Sequence, residues 1–174
     1  MPKGRILILD ASAFISGFDP LSVHQVQYSV PAVKDELTSG SLPWTRLTTA
    51  SKIGRLRIKP PKSSFLSKVE DVSKTIGDLL VLSNTDKQLL ALAFEFKEAG
   101  CRPLIITDDY SMQNVAHKLG VEFSALMTLG IRYRFRWLIY CPACYHKFPG
   151  DYGFKSCSIC GTKLKRKPVE KVRV

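Results

Sequence analysis

The chain has 174 residues, 45% of them hydrophobic, with 26 Lys/Arg against 15 Asp/Glu and a formal charge of +11. That length holds one mid-sized domain plus a small module, and the apolar content is enough for a real core. No apolar stretch approaches the roughly 18 residues of a membrane span, and the run Ile6-Leu7-Ile8-Leu9 is stopped by Asp10, too early for a signal peptide. The charge is unevenly placed. Residues 130–174 hold 11 Lys/Arg and 2 Asp/Glu, whereas the rest of the chain holds 15 and 13. A basic module beside a near-neutral domain points to a polyanionic partner, nucleic acid first.

Arg5–Leu9 is a short apolar run ending in acid, which suits a buried parallel strand. Ala11–Ile15 starts a short helix. Gln27–Val30 can be extended, and Pro31 fits the first turn of a helix reaching Leu37. Ser39, Gly40, Ser41 and Pro43 punctuate a turn, followed by a helix around Arg46–Ile53 and a strand over Arg55–Ile58. Ser63 or Ser64 caps a helix running to about Ile76, with Val69, Val72 and Ile76 facing inward and Gly77 closing it. Ser83-Asn84-Thr85-Asp86 precedes a strong helical pattern, in which Leu89, Leu92, Ala93 and Phe96 recur at three- and four-residue steps up to Gly100. Pro103–Thr107 is a second apolar strand ending in Asp108-Asp109. A helix over Ser111–Leu119 and a short strand over Val121–Phe123 follow. Strands alternating with helices imply an α/β fold, a parallel sheet with helices on both faces. The segment from Arg132 to Trp137 alternates strictly, so an extended chain carries Arg132, Arg134 and Arg136 on one face and Tyr133, Phe135 and Trp137 on the other. The aromatic face packs a junction or stacks on unpaired bases.

Cys141-Pro142-Ala143-Cys144 and Cys157-Ser158-Ile159-Cys160 form two CxxC knuckles separated by twelve residues. Two knuckles close a tetrahedron of thiolates around a metal, zinc by default, with iron as the alternative that the ligands alone do not separate. A disulfide framework would need an oxidising compartment, to which the N-terminus offers no route. Four thiolates leave no open position, so this metal holds the fold and does no chemistry. Cys101 reads as a structural thiol. His24, His117 and His146 are scattered and carry no role.

Ligands gather at the C-terminal ends of parallel strands. Two expected strands end there in acid, at Asp10 and at Asp108-Asp109, while Glu36 and Asp86 lie on helices. Brought together, these carboxylates would repel one another and require Mg²⁺ or Mn²⁺, which can activate water and steady the charge on a phosphodiester under attack. Each also has a plainer role. Asp10, Asp108 and Asp109 could cap the helices after them, Ser83 and Asp86 form a capping-box pattern, and Glu36 could be a solvated helix residue next to Asp35.

These segments resemble the motifs of PIN-domain nucleases: Ile8-Leu9-Asp10-Ala11-Ser12, Val33-Lys34-Asp35-Glu36-Leu37, Leu82-Ser83-Asn84-Thr85-Asp86 and Thr107-Asp108-Asp109-Tyr110. Together with Gln113-Asn114-Val115-Ala116 and the cysteine ribbon, the chain up to about Leu164 resembles the archaeal-type Nin-one-binding endoribonucleases. The resemblance implies a PIN-like nuclease domain at 1–129, an Arg/aromatic junction at 130–138, a zinc ribbon at 139–164 and a basic tail at 165–174, mobile beyond Pro168. It implies one structural Zn²⁺ and one or two catalytic Mg²⁺ or Mn²⁺ held by Asp10, Glu36, Asp86 and the Asp108-Asp109 pair. Within that pair the usual Thr-x-Asp pattern selects Asp109. The implied activity is hydrolysis of precursor small-subunit rRNA at its 3′ end, in the cytoplasm, on the pre-ribosomal particle and beside other assembly factors, with no membrane partner. RNA affinity is expected from Arg132, Arg134, Arg136, Lys163, Lys165 and Arg166. An insertion carried within the nuclease domain of longer family members has no match. Two alternatives stand beside this one, a toxin-type PIN ribonuclease and an RNA-binding assembly scaffold that does not cut. A rubredoxin-like electron carrier is remote.

Overall fold

The computed structural model describes residues 4–76, 81–126, 133–149 and 152–173, without the side chains of residues 76, 133–137 and 168–173. Five parallel strands make the main sheet: β1 (Arg5–Leu9), β2 (Val26–Ser29), β3 (Leu56–Ile58), β4 (Arg102–Ile106) and β5 (Glu122–Ser124). Their spatial order is β3-β2-β1-β4-β5. The chain therefore winds outward from β1 in one direction, then returns and winds outward in the other. With right-handed crossovers that reversal puts helices on opposite faces. On one side α1 (Ala11–Ile15) meets α3 (Leu42–Lys52), and on the other α4 (Ser63–Ile76), α5 (Asn84–Glu98) and α6 (Tyr110–Lys118) meet one another. A short α2 (Pro31–Glu36) touches both α1 and α5.

The α/β expectation holds, and its apolar pattern is the core. Ile8, Leu9, Phe14, Leu89, Leu92 and Ile105 are fully buried in one cluster. Val69 is buried and Val72 packs against the cluster, as the spacing requires, while the side chain of Ile76 and all of Gly77 lie outside the described residues. The α5 helix is more deeply set than its stripe implies, because Leu90 and Ala91 are buried too. It lies across β1 and β4 and against α2, α4 and α6, so almost all of its circumference is covered.

Two segments differ from expectation. The helix placed around Arg46–Ile53 begins four residues earlier, at Leu42. Ser41 caps it by accepting from Trp44 N (3.3 Å), and Pro43 lies inside the first turn rather than in the preceding one. Proline is tolerated there because the first turn's N–H groups have no helical partner. Lys165–Arg173, expected as part of a basic tail mobile beyond Pro168, is a nine-residue strand, β8. It pairs antiparallel with β6 (Tyr133–Tyr140), which also pairs with the two-residue β7 (Lys147–Phe148). The lysines and proline that suggested a solvated tail suit a strand at a sheet edge, where they discourage further pairing. Pro168 opposes Trp137, at the register shift between Arg136 and Trp137. This second sheet carries its own small core of Ile139, Cys141, Phe148 and Cys157, with Tyr152 and Leu164 against it. No described helix is long and apolar enough to cross a membrane.

Ser41→Ala is expected to cost about 1 kcal/mol of unfolding free energy, the usual worth of a serine N-cap. Urea denaturation of the two proteins measures it.

Candidate active site and metal centre

The strand-order reversal falls between β1 and β4, and the chain leaves both strands at the same edge. Leu9 pairs with Ile106, so Asp10 and Thr107 emerge side by side. Asp10 is 6% exposed and both of its oxygens are occupied. Oδ1 accepts from Ala11 N (2.6 Å), capping α1. Oδ2 accepts from Ser12 Oγ (2.7 Å) and Thr107 Oγ1 (2.9 Å). Thr107 Oγ1 in turn accepts from Asp109 N (3.1 Å). Gln113 Nε2 donates to the Thr107 carbonyl (2.9 Å), anchoring the turn from the next helix.

Asp109 caps α6 by accepting from Ser111 N (2.7 Å) at Oδ1. Asp86 and Ser83 form the capping box suggested by their spacing. Asp86 Oδ2 accepts from Ser83 N (2.7 Å) and Ser83 Oγ accepts from Asp86 N (3.1 Å). Asp108 is committed elsewhere, since Oδ2 accepts from Ser16 Oγ (3.1 Å) and Oδ1 from Leu126 N (3.0 Å). Glu36 is exposed at the end of α2. Capping and clustering are thus carried by the same residues.

Electrostatics shows which acids share a space. Burial pushes the Asp10 carboxyl above its ordinary range against three hydrogen bonds, and the Glu36 charge pushes it further. Burial also raises Asp86, with repulsion from Asp10 and Asp109 added. The fold therefore brings Asp10 within electrostatic reach of Glu36, and Asp86 within reach of Asp10 and Asp109. Hard carboxylate oxygens in a partly dry, self-repelling set are the donor chemistry of Mg²⁺ or Mn²⁺. Asp86 Oδ1 and Asp109 Oδ2 are not spent on caps. Among the described residues, however, no three acids have their oxygens all within 4.8 Å of one another; the cysteine quartet alone meets that distance.

Ser12, Ser16, Thr107 and Gln113 position these acids; Ser12, Thr107 and Gln113 fall within the motifs of the resemblance, which gives them no role of their own. The Asp-x-Ser spacing at Asp10 and the Thr-x-Asp spacing at Thr107 are the available signals. Gln113, part of the segment Gln113-Asn114-Val115-Ala116 that carries the resemblance, is fully buried. Arg132 lies outside the described residues, as do the side chains of Arg134 and Arg136.

The four cysteine sulfurs lie within 4.8 Å of one another, with Cys141 and Cys160 3.4 Å apart and Cys144 and Cys157 3.6 Å apart. These separations approach the edge of a ZnS₄ tetrahedron, about 3.8 Å for a bond of about 2.3 Å. The two knuckles are built alike. Cys141 N donates to His146 O and Tyr145 N to Cys141 O (both 2.9 Å), while Cys157 N donates to Thr162 O (2.8 Å) and Gly161 N to Cys157 O (2.9 Å). Each turn needs a left-handed residue after its second cysteine: Gly161 (φ 73°) in one and Tyr145 (φ 59°) in the other. Backbone N–H groups of Cys144 and Ile159 approach the sulfurs of Cys141 and Cys157 (3.5 and 3.4 Å). Such donors stabilise thiolates. Four thiols in a core this small fit a structural zinc that supplies folding energy.

Acids placed where a parallel sheet reverses its order, joined to a four-cysteine module, set this chain beside the nucleases. The family model described as "PIN domain of ribonuclease" matches residues 7–96. The chain is 36% identical to "Endoribonuclease Nob1" of Methanothermobacter thermautotrophicus over 160 residues, covering 92% of this chain and 91% of that protein. It is 36% identical to "Endoribonuclease Nob1" of Methanocaldococcus jannaschii over 166 residues (95% and 79%). It is 35% identical to "Ribonuclease VapC1" of Thermoplasma acidophilum over 164 residues (94% and 78%). The chain belongs to the PIN-domain ribonucleases, in the group that holds the archaeal Nob1 and VapC proteins.

Asp10→Asn tests the electrostatic argument. The folded carboxyl sits above its unfolded value, so the charge destabilises the fold only once pH rises past the ordinary aspartate range and up through the raised folded value. In chelator at neutral pH the variant is expected to melt higher than wild type, by about 2–4 °C per kcal/mol relieved. The advantage should vanish as pH falls through the ordinary aspartate range. Adding Mn²⁺ should raise the wild-type midpoint more than the variant's. Calorimetric scans across pH, with and without the ion, check all three.

Native mass spectrometry is expected to show one zinc per chain. Cys157→Ser should abolish it and collapse the amide resonances of Ile139, Phe148 and Tyr152 toward random-coil shifts, read by NMR.

Proposed function

We propose that this ribonuclease hydrolyses precursor small-subunit rRNA at its 3′ end, within the pre-ribosomal particle and in the cytoplasm. The observation that carries the reading is the wiring of Asp10 and Asp109 through Thr107, with Asp86 and Glu36 in electrostatic reach. The substrate is inferred from the Nob1 relatives and from the resemblance of the motifs to Nin-one-binding endoribonucleases. Residues 1–129 would form the nuclease unit and residues 139–164 the ribbon.

Asp10, Glu36, Asp86 and Asp109 are the residues that would hold Mg²⁺ or Mn²⁺. The bound ion supplies Lewis acidity toward the phosphodiester and makes water a better nucleophile at neutral pH. The chain's own groups do the rest. Thr107 and Ser12 keep the Asp10 oxygens in place, so no reorganisation is needed as charge develops. Partial burial limits bulk water at the cluster and strengthens each electrostatic interaction. One of the carboxylates takes the proton released as water attacks. In-line attack leaves a 5′-phosphate and a 3′-hydroxyl. Arg132, Arg134, Arg136, Lys163, Lys165 and Arg166 would hold the RNA backbone.

The match to VapC1 favours a second reading, a toxin-type ribonuclease that cuts other RNAs. That alignment runs over 94% of the chain and so reaches the cysteine segment. Substrate choice separates the two readings. An RNA spanning the mature 3′ end and its downstream spacer should be cut once with Mn²⁺ or Mg²⁺ and not with chelator. Asp10→Asn and Asp86→Asn should each lose at least about 100-fold in rate, the scale of removing one electrostatic catalytic group. Indiscriminate cutting, or cutting of transfer or messenger RNA alone, favours the toxin-type reading. Tight binding without a cut under any metal makes the chain a scaffold.

A further inference from the structure

Gln113 lies near the start of α6 and is wholly buried, and its amide uses only one of its two hydrogen-bonding ends. Nε2 donates to Thr107 O (2.9 Å), while the enclosed Oε1 meets no donor among the described residues. A buried acceptor without a partner is costly to a fold, and an apolar side chain of the same length would carry no such acceptor. Burial therefore does not account for an amide at this position. The one bond it makes does.

That bond grips one end of a peptide unit whose other end is also held. The peptide between Thr107 and Asp108 gives its carbonyl to Gln113 and its N–H to Ser12 Oγ (3.1 Å). A peptide unit is planar, so holding both ends fixes its rotation. Gln113 N also donates to Asp109 O (3.0 Å), so a single residue spans the turn from Thr107 to Asp109. The Thr107 hydroxyl has one proton and two acceptors in range, Asp10 Oδ2 at 2.9 Å and Met112 Sδ at 3.6 Å. A thioether is a weak acceptor, so the proton goes to the carboxylate while the backbone keeps Oγ1 against it. Rotating the peptide would carry Asp109 N off Thr107 Oγ1 and Asp108 N off Ser12 Oγ. Those are the two hydroxyls that donate to Asp10 Oδ2.

We infer that Gln113 is a positioning residue for the hydrolysis: its amide clamps the Thr107–Asp108 peptide so that two hydroxyls stay aimed at Asp10, and its loss slows turnover without weakening RNA binding. It touches neither the acids nor, on this reading, the RNA. The side chain is kept for the alignment of the site, at some expense to local stability. The inference rests on the ribonuclease reading but not on which RNA is cut.

The test uses the full chain loaded with zinc, as wild type and as Gln113→Met, which keeps the length and removes the donor. Gln113→Asn, which keeps the amide but shortens its reach, is the second variant. In a chelator too weak to strip the zinc, amide exchange of Asp108 and Asp109 is read by NMR. Both should exchange roughly ten-fold faster in each variant, the scale of one hydrogen bond, while Val115 and Ala116 on the same helix keep their wild-type rates. With Mn²⁺ and an RNA that the wild type cuts, kcat should fall by about ten- to a hundred-fold, the scale of a misplaced group. KM and the RNA affinity in chelator should stay within about two-fold. The urea midpoint of Gln113→Met should stay near that of wild type, because one unpaired acceptor is exchanged for another.

An unchanged kcat overturns the proposal. So does a fall in kcat accompanied by faster exchange at Val115 and Ala116, or a failure of both variants to fold, since either makes Gln113 a residue of the fold alone. A wild-type chain that cuts no RNA sinks the ribonuclease reading and the claim on turnover with it. The exchange rates of Asp108 and Asp109 decide the clamp in either case.

Discussion

A buried hydrogen bond from Thr107 Oγ1 to Asp10 Oδ2 joins residues 97 positions apart at the edge where β1 and β4 end. It exists because those two strands are neighbours, and they are neighbours because the sheet reverses its winding between them. At such a reversal the helices after the two strands leave on opposite faces and a crevice opens between them. Thr107 stands at that crevice, donating to one carboxylate and accepting from the backbone of the other. Ser12 repeats the arrangement from the β1 side, donating to Asp10 and accepting from Asp108 N (3.1 Å). Loss of the reversal would scatter these partners to separate edges of the sheet.

The acids carry opposing energetic roles. Asp10, Asp86 and Asp109 each satisfy backbone donors at the start of a helix, where a negative charge is favoured. Their gathering also raises Asp10 and Asp86 through burial and mutual repulsion. The caps offset part of that repulsion, and their hydrogen bonds belong to the fold.

The second sheet solves a different problem. Among the described residues its core is Ile139, Cys141, Phe148 and Cys157, two of them thiols of the cysteine quartet, so a metal held there would tie the core together. The paired knuckles share one backbone plan, and the left-handed turn that Gly161 adopts freely is imposed on Tyr145 in its counterpart. Anchoring β6 in this way lets β8 return along it and carry Lys165 and Arg166 back toward α6. Metal, sheet and basic groups form one chain of consequence, from thiolate spacing to the placement of charge.

Local chemistry makes much of this legible from the residues in order. The two CxxC pairs specify a four-thiolate centre because knuckle geometry is set within four residues. Ser83 and Asp86 announce their capping box, and the apolar spacing of α5 announces its buried face. The Pro43 boundary is easily misplaced because proline suits both a turn and a helix's first turn, and only Ser41's bond to Trp44 N separates them. The fate of residues 165–173 is not local at all, since a lysine-rich segment becomes a strand only when β6 offers its edge. The same holds at the site. Sequence places acids at the ends of two strands, but strand order alone decides that those ends meet. The packing of α5 across β1 and β4 brings Asp86 to them, and only side-chain geometry shows both oxygens of Asp108 engaged with Ser16 and Leu126. Residue order carries interactions that span a turn, whereas meetings between distant segments depend on the register and winding of the whole sheet.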